Sequence, residues 1–335
     1  MNGYVPEDPL TIAVVFSVLA AAVVAGFIVT WLRSVTFSRL AAWLLVFGTV
    51  AGVERLTALE PAGVRMLAIS LALLWTLKAL VAVEEQVAGR PRLVGLRYFM
   101  FTIGWPGMRP SAFAAVPGQP RRGWAGMIRQ GARNLFAGAL LVVCAWFTSA
   151  YVSRHIQSPG WLLLTTIFLL PGLCLVVHFG LFQVLAGLWR FLGADCHVLF
   201  RAPLRSTSLS EFWGQRWNVA FSEMTALIVF RPLKGIVGRQ WAMAAAFLFS
   251  GCLHELAISV PVRAGYGLPL LYFALHAAAM QIENALSKRG RPVDSIRWVG
   301  RLWTLAWLAL PLPILFHRPF LRGCVWPLIG LTDEG

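Results

Sequence analysis

Apolar residues run through this chain in blocks too long for the interior of a soluble domain. A hydrocarbon core is crossed by about 17 to 25 residues of helix, and stretches of that size lie at roughly 10–32, 40–59, 64–83, 134–152, 160–189, 240–260, 268–286 and 299–317. The pattern predicts about eight transmembrane helices. Polar residues collect between them in two long inner stretches, 84–133 and 190–239, which mix arginines with aromatic rings, the first of them also rich in prolines. Segments such as 96–101 and 124–129 carry the ring-and-cation mixture of helices lying at a headgroup boundary. No period of 20 to 50 residues repeats, and no soluble stretch is long enough to bury its own core. The expected architecture is all-α and polytopic: one membrane domain over 1–335, with interfacial or re-entrant helices beside the spans.

Composition agrees, because a chain that is 58% hydrophobic and 13% charged, with 15 Trp and 22 Phe, needs a bilayer as its solvent. A net charge of +15 invites a nucleic-acid reading, but the placement of the cations decides against it. With the N-terminus outside, inner loops hold 22 of the 29 Lys and Arg residues. Outer segments hold Arg55, Arg65, Arg154, Arg263, Arg318 and Arg322, and Lys78 falls within an apolar run. That asymmetry predicts both termini outside. Glu7 and Asp8 precede the first span without a Lys or Arg, the wrong flank for a cleaved export signal, so it is expected to stay as a helix. Cys144, Cys174, Cys196, Cys252 and Cys324 form no C-x-x-C pair, so neither disulfide nor metal is expected. The excess of Arg over Lys, 26 to 3, and the absence of an N-x-[ST] acceptor point to a bacterial inner membrane.

An ionisable side chain inside a span costs roughly 3 kcal/mol or more unless it is paired or lines a wet cavity, so the few such residues are the first candidates for chemistry. His254 and Glu255 lie deep in the sixth apolar stretch, about 21 Å along a helix from its start. His276 and Glu283, two turns apart in the seventh, share a face with Met280 and can form one polar seam. A second signal is SLSEFWGQRWN, Ser208 to Asn218, ahead of an amphipathic stretch ending at Phe230-Arg231-Pro232. Ser208 or Ser210 can cap a helix there, with Glu211 in its first turn.

Together with SGCLHE, Ser250 to Glu255, some 35 residues later, this stretch resembles the motifs of membrane-bound O-acyltransferases (MBOAT). The likeness is to the wax synthase branch typified by plant fatty-alcohol acyltransferases, which carries S-L-x-[DE]-F-W-G-x-R-W-N and then S-G-x-x-H-E. Leu275-His276 with Glu283 resembles a third motif, and Lys78 resembles a family lysine more loosely. The resemblance covers about 204–284. It implies an acyl-CoA-dependent O-acyltransferase that moves a long-chain fatty acyl group to the hydroxyl of a lipophilic alcohol, forming a wax ester, with acyl-CoA as co-substrate and no bound cofactor. A sterol, terpenoid or diacylglycerol acceptor would face the same residues. The implied catalytic residues are His254, as general base, and Asn218, which orients a substrate or donates to the developing oxyanion. Trp213, Arg216, Trp217 and Glu255 are candidate substrate-binding residues, as are His276 and Glu283. Arg216, Arg231, Lys234 and Arg239 are candidates for the phosphates of the donor. As a helical neighbour Glu255 points about 100° away from His254, so direct contact between them is not expected.

Other site classes fail on the residues. His254-Glu255-Leu256-Ala257-Ile258 lacks the second histidine of H-E-x-x-H, no G-x-S-x-G elbow occurs, and no aspartate-rich pair could hold magnesium pyrophosphate. Asp195-Cys196-His197 lacks the rest of a palmitoyltransferase signature, and His155, His178, His197 and His317 carry no assigned chemistry. The rival of another class is a lipid or small-molecule transporter, with intramembrane His and Glu relaying protons; no inverted repeat supports it.

Overall fold

A helix that crosses a membrane must satisfy its own backbone, and the computed structural model, which describes residues 3–152 and 160–331, is all-helical, with no strand among the described residues. Arg154 and His155 lie outside them. The main helices are α1 (Pro9–Val29), α2 (Val35–Leu56), α3 (Ala62–Val87), α4 (Leu96–Gly104), α5 (Trp124–Ala150), α6 (Gly160–Phe191), α7 (Val219–Val262), α8 (Leu268–Lys288) and α9 (Arg297–Leu315). Seven of these, all but α4 and α8, are long and apolar enough to cross a membrane, which makes the chain a multi-pass membrane protein. The expected eighth, 268–286, is α8. It has the length, but His276, Gln281, Glu283 and Asn284 lower its hydropathy. His276 and Glu283 are turned inward and buried, and the helix runs beside α7.

Asp8 starts α1 by accepting the N–H groups of Leu10 (2.9 Å) and Thr11 (3.2 Å), with Pro9 at the first helical position. α1 and α2 pack on α3, the innermost helix, where every residue from Thr76 to Glu84 is buried. Arg39 at the start of α2 clasps Glu84 near the end of α3 with two bonds of 2.6 and 2.7 Å. Of the two stretches expected at the headgroup boundary, 96–101 is the short α4, whereas 124–129 is the opening of the long α5.

α7 departs most from expectation. A straight helix from Phe221 to His254 would separate them by about 50 Å, yet their rings meet with centroids 5.8 Å apart. The chain therefore turns back, and Gly238, at φ 79° and ψ 166°, is the non-helical residue between the two arms. A side chain at that φ would be strained, so glycine makes the corner. The amphipathic stretch before residue 232 is thus one arm of a helical hairpin and packs beside the histidine. The tip, from Lys234 to Trp241, is exposed at every position.

Candidate active site

His254 ends the second arm of the hairpin, and π-helical Glu255–Ser259 follows it. Its Nδ1 lies 2.7 Å from the carbonyl oxygen of Ser250. A carbonyl can only accept, so Nδ1 carries the proton and the neutral ring presents a lone pair at Nε2. That nitrogen has no hydrogen-bond partner among the described residues and is not sealed by its surroundings. The half-buried ring stands between Phe273 of α8, at 4.4 Å, and Phe221. The glycine of the SGCLHE stretch explains the first contact: a Cβ on Gly251 would lie 2.7 Å from Leu270 Cδ1 and 3.0 Å from its Cα. Only a residue without one lets α8 come close enough to press Phe273 on the histidine.

Asn218 begins the first arm. Its φ of 40° places it in the left-handed region that Asn tolerates better than most residues. Its Oδ1 accepts the N–H of Phe221 at 3.3 Å, which fixes the carboxamide at the helix start. The amide Nδ2 has no partner among the described residues and is not sealed, so it is available as a donor. Phe221 connects the pair, one turn on from Asn218 and edge-on to His254. The first arm of the hairpin thereby brings Asn218 and His254 onto the same residue, Phe221.

His276 and Glu283 make no bond to each other, and each contacts the SLSEFWG segment. The Glu283 carboxylate accepts the backbone N–H of Leu209 (2.6 Å) and Ser210 (3.1 Å), the Ser210 hydroxyl (2.9 Å) and the Trp303 indole (2.9 Å). A carboxylate at the N-terminus of a helical turn also opposes its dipole. His276 meets Trp213 edge-on at 5.4 Å, and Trp213 in turn packs on Phe273. Ser208, not Ser210, supplies the cap by accepting the N–H of Glu211 at 3.0 Å, while Glu211 reaches back to the N–H of Thr207 at 2.8 Å. Arg216 bonds Glu211 at 2.7 Å and the Arg201 carbonyl at 3.2 Å, so it ties the loop together. The Trp217 ring stacks on Phe212, nearly parallel at 5.5 Å. Glu255 accepts the N–H of Leu270 at 3.1 Å and makes no bond to His254, as its angular offset requires.

Arg231 and Lys234 lie toward the hairpin tip, about 20 Å along the helix from Asn218, and are exposed. The basic groups beside Asn218 are others, which sequence reasoning missed. A small cleft, open to the outside, is lined by Arg109, Asp195, His197, Arg201 and Glu223 and reaches Val219, the residue after Asn218. Arg109 pairs with Glu223 across it. Burial holds the His197 pKa below its ordinary range against the pull of Asp195, and Arg109, Arg190 and Arg201 act in the same direction as burial. Burial also pushes the Cys196 thiol up to about 12, so Asp195-Cys196-His197 offers no thiolate nucleophile. The arginines that make this cleft sit far apart in sequence, within runs that positive-inside placement already explains.

The fold and site define a class: an all-helical membrane protein with an unprotonated imidazole nitrogen set among rings and an uncommitted carboxamide beside it. A model of the membrane bound O-acyl transferase family matches residues 196–275, which include both Asn218 and His254. The long-chain-alcohol O-fatty-acyltransferase of Simmondsia chinensis is 31% identical over 36% of this chain and 39% of its own length. In Arabidopsis thaliana, probable long-chain-alcohol O-fatty-acyltransferase 6 is 32% identical over 42% of this chain and 49% of its own. Its relative numbered 7 is 31% identical over 52% and 54% respectively. The matches thus span about half or less of these relatives' length. Over residues 196–275 the chain is therefore similar to the membrane bound O-acyl transferase family.

Proposed function

We propose that the protein transfers a long-chain fatty acyl group from acyl-CoA to the hydroxyl of a lipophilic alcohol, a long-chain fatty alcohol first among acceptors, and releases the free thiol of CoA. The observation that carries this reading is the free lone pair of His254 Nε2, fixed by the Nδ1 bond to Ser250. His254 takes the hydroxyl proton as the alcohol oxygen attacks the thioester carbonyl carbon. Asn218 Nδ2 donates to the oxyanion as it forms. When the carbon–sulfur bond breaks, His254 returns the proton to the leaving thiolate. Arg201, which pairs with no carboxylate among the described residues, offers the cleft a cation for donor phosphates, and the rings of Phe221, Phe273 and Trp213 offer an apolar setting for the chains. In the orientation set by the basic loops, both termini face outward and the cleft opens inward, in the inner membrane of a bacterial cell.

Purified protein given a long-chain acyl-CoA and a panel of fatty alcohols, sterols, terpenoid alcohols and diacylglycerol is expected to release thiol in equal amount to ester, most strongly with a fatty alcohol. Thiol release that no alcohol stimulates would overturn the reading. Asn218→Gly is the clean test of the amide, because glycine tolerates the positive φ that alanine would not. It is expected to lower kcat about 100-fold while the protein stays monodisperse in detergent. Turnover within twofold of native would remove Asn218 from the mechanism.

A further inference from the structure

The start of α9 carries charges for which acyl transfer has no use. Arg297 and Arg301 lie one helical turn apart and share a face. The turn Pro203–Arg205, which leads into the SLSEFWG segment, packs on the same helix and ends in the exposed Arg205. Gly300 permits this approach, since a Cβ there would collide with the Thr207 carbonyl oxygen. Three guanidiniums from two distant parts of the chain are therefore gathered at one end of α9.

None of the three side chains has a carboxylate partner or a hydrogen bond among the described residues. Glu211 on the adjoining segment is committed to Arg216, and Glu283 to backbone and indole N–H groups. Asp294, in the turn beside Gly300, is exposed and pairs with none of them. Arg301 is partly buried, and its Nε is sealed without an acceptor among the described residues. A cation withdrawn from water without a counter-charge is costly, and an anion held at this face offsets that cost. The neighbouring stripe of α9 is apolar: Trp298, Leu302 and Leu305 are 68%, 62% and 40% exposed. Their spacing keeps them on one face that runs from the arginines toward the middle of the helix. Charge at the helix start, with an apolar strip leading away from it, matches the anionic head and hydrocarbon chain of a phospholipid.

We infer that the Pro203–Arg205 turn and the start of α9 form a binding site for an anionic phospholipid of the surrounding bilayer. Its phosphate sits on Arg205, Arg297 and Arg301, and one acyl chain lies along Trp298, Leu302 and Leu305. None of these six residues lines the cleft beside Val219, so the site is separate from it. By bridging the turn and the helix, the lipid fastens α9, whose Trp303 bonds Glu283, to the segment whose N–H groups Glu283 accepts. General attraction of a basic face to anionic lipid draws on every exposed arginine alike, whereas this site depends on three.

Lipid retention tests this without any turnover. Delipidated protein in detergent is titrated with long-chain phosphatidylglycerol or phosphatidylcholine, and bound lipid is counted by native mass spectrometry. Native protein is expected to hold one phosphatidylglycerol about tenfold more tightly than phosphatidylcholine. Replacing Arg205, Arg297 and Arg301 together by Gln should bring the two lipids to within about twofold of each other. Replacing Arg90, Arg129 and Arg133 by Gln removes the same charge from exposed positions elsewhere and should leave the preference intact. Equal losses in the two triple variants would mean diffuse attraction and overturn the site, as would a native protein without preference. Soluble glycerophosphoglycerol that competes as well as the lipid would show that the apolar strip takes no part, which also overturns it. Should the first triple variant not stay monodisperse, Arg297→Gln alone decides, since that side chain is exposed. About fivefold weaker retention of phosphatidylglycerol is expected from it, and unchanged retention overturns the inference.

Discussion

Replacing His254 by alanine is expected to stop thiol release while leaving a folded protein. The ring makes its one hydrogen bond to Ser250 of its own helix and otherwise touches Phe221 and Phe273. No bond between helices depends on it. Its removal leaves a ring-sized gap beside an already accessible nitrogen, so elution of the variant in detergent should match native. The chemistry responds differently. Loss of a positioned general base costs on the order of 100-fold or more, and no other side chain among the described residues offers an unprotonated nitrogen there: His276 Nε2 is sealed, and Glu255 faces Leu270. The readout is single-turnover ester formation from acyl-CoA and fatty alcohol, which is insensitive to product release. Turnover within twofold of native would mean that another group takes the hydroxyl proton.

Much of this arrangement was legible in the sequence because membrane insertion writes itself in apolar runs. All eight expected spans fall on helices, and α8 differs only in that His276, Gln281, Glu283 and Asn284 lower its hydropathy. The pairing of Asn218 with His254 could be read from their motifs, but how they meet could not. The corner at Gly238 is one glycine among 30, and nothing local tells a helix that turns back from one that continues. The roles of Glu283 and Arg216 were hidden for a related reason. Their partners are largely backbone groups, the N–H of Leu209 and Ser210 and the carbonyl of Arg201, and a backbone atom carries no residue signature.

Lys78→Met is expected to be the most damaging substitution for the fold. Lys78 is fully buried in α3, and its Nζ donates to three carbonyl oxygens, of Phe101 (2.9 Å), Trp105 (2.5 Å) and Gly107 (2.6 Å). Three acceptors require three N–H groups, which an ammonium has and a neutral amine lacks. The Phe101 ring face lies 3.9 Å away and adds a cation–π contact. The carbonyls belong to the last turn of α4 and the chain just beyond it, where the helix dipole favours a cation. Methionine nearly preserves volume but strands all three oxygens, and removing one side of a buried charged set costs about 3–5 kcal/mol. Arginine is not expected to rescue, because a site with no exposed surface has no room for a guanidinium. The consequence reaches the candidate site: the chain released from Lys78 leads directly into Met108, Arg109 and Ala112, which form one wall of the cleft beside Val219. Lys78→Met should therefore give a low yield of monodisperse protein, a lower midpoint of thermal unfolding in detergent, and a raised KM for acyl-CoA in whatever remains folded. His254→Ala, by contrast, should leave yield and midpoint near native. A Lys78→Met protein that melts within a degree of native would show that the last turn of α4 and its cleft wall are held by other contacts.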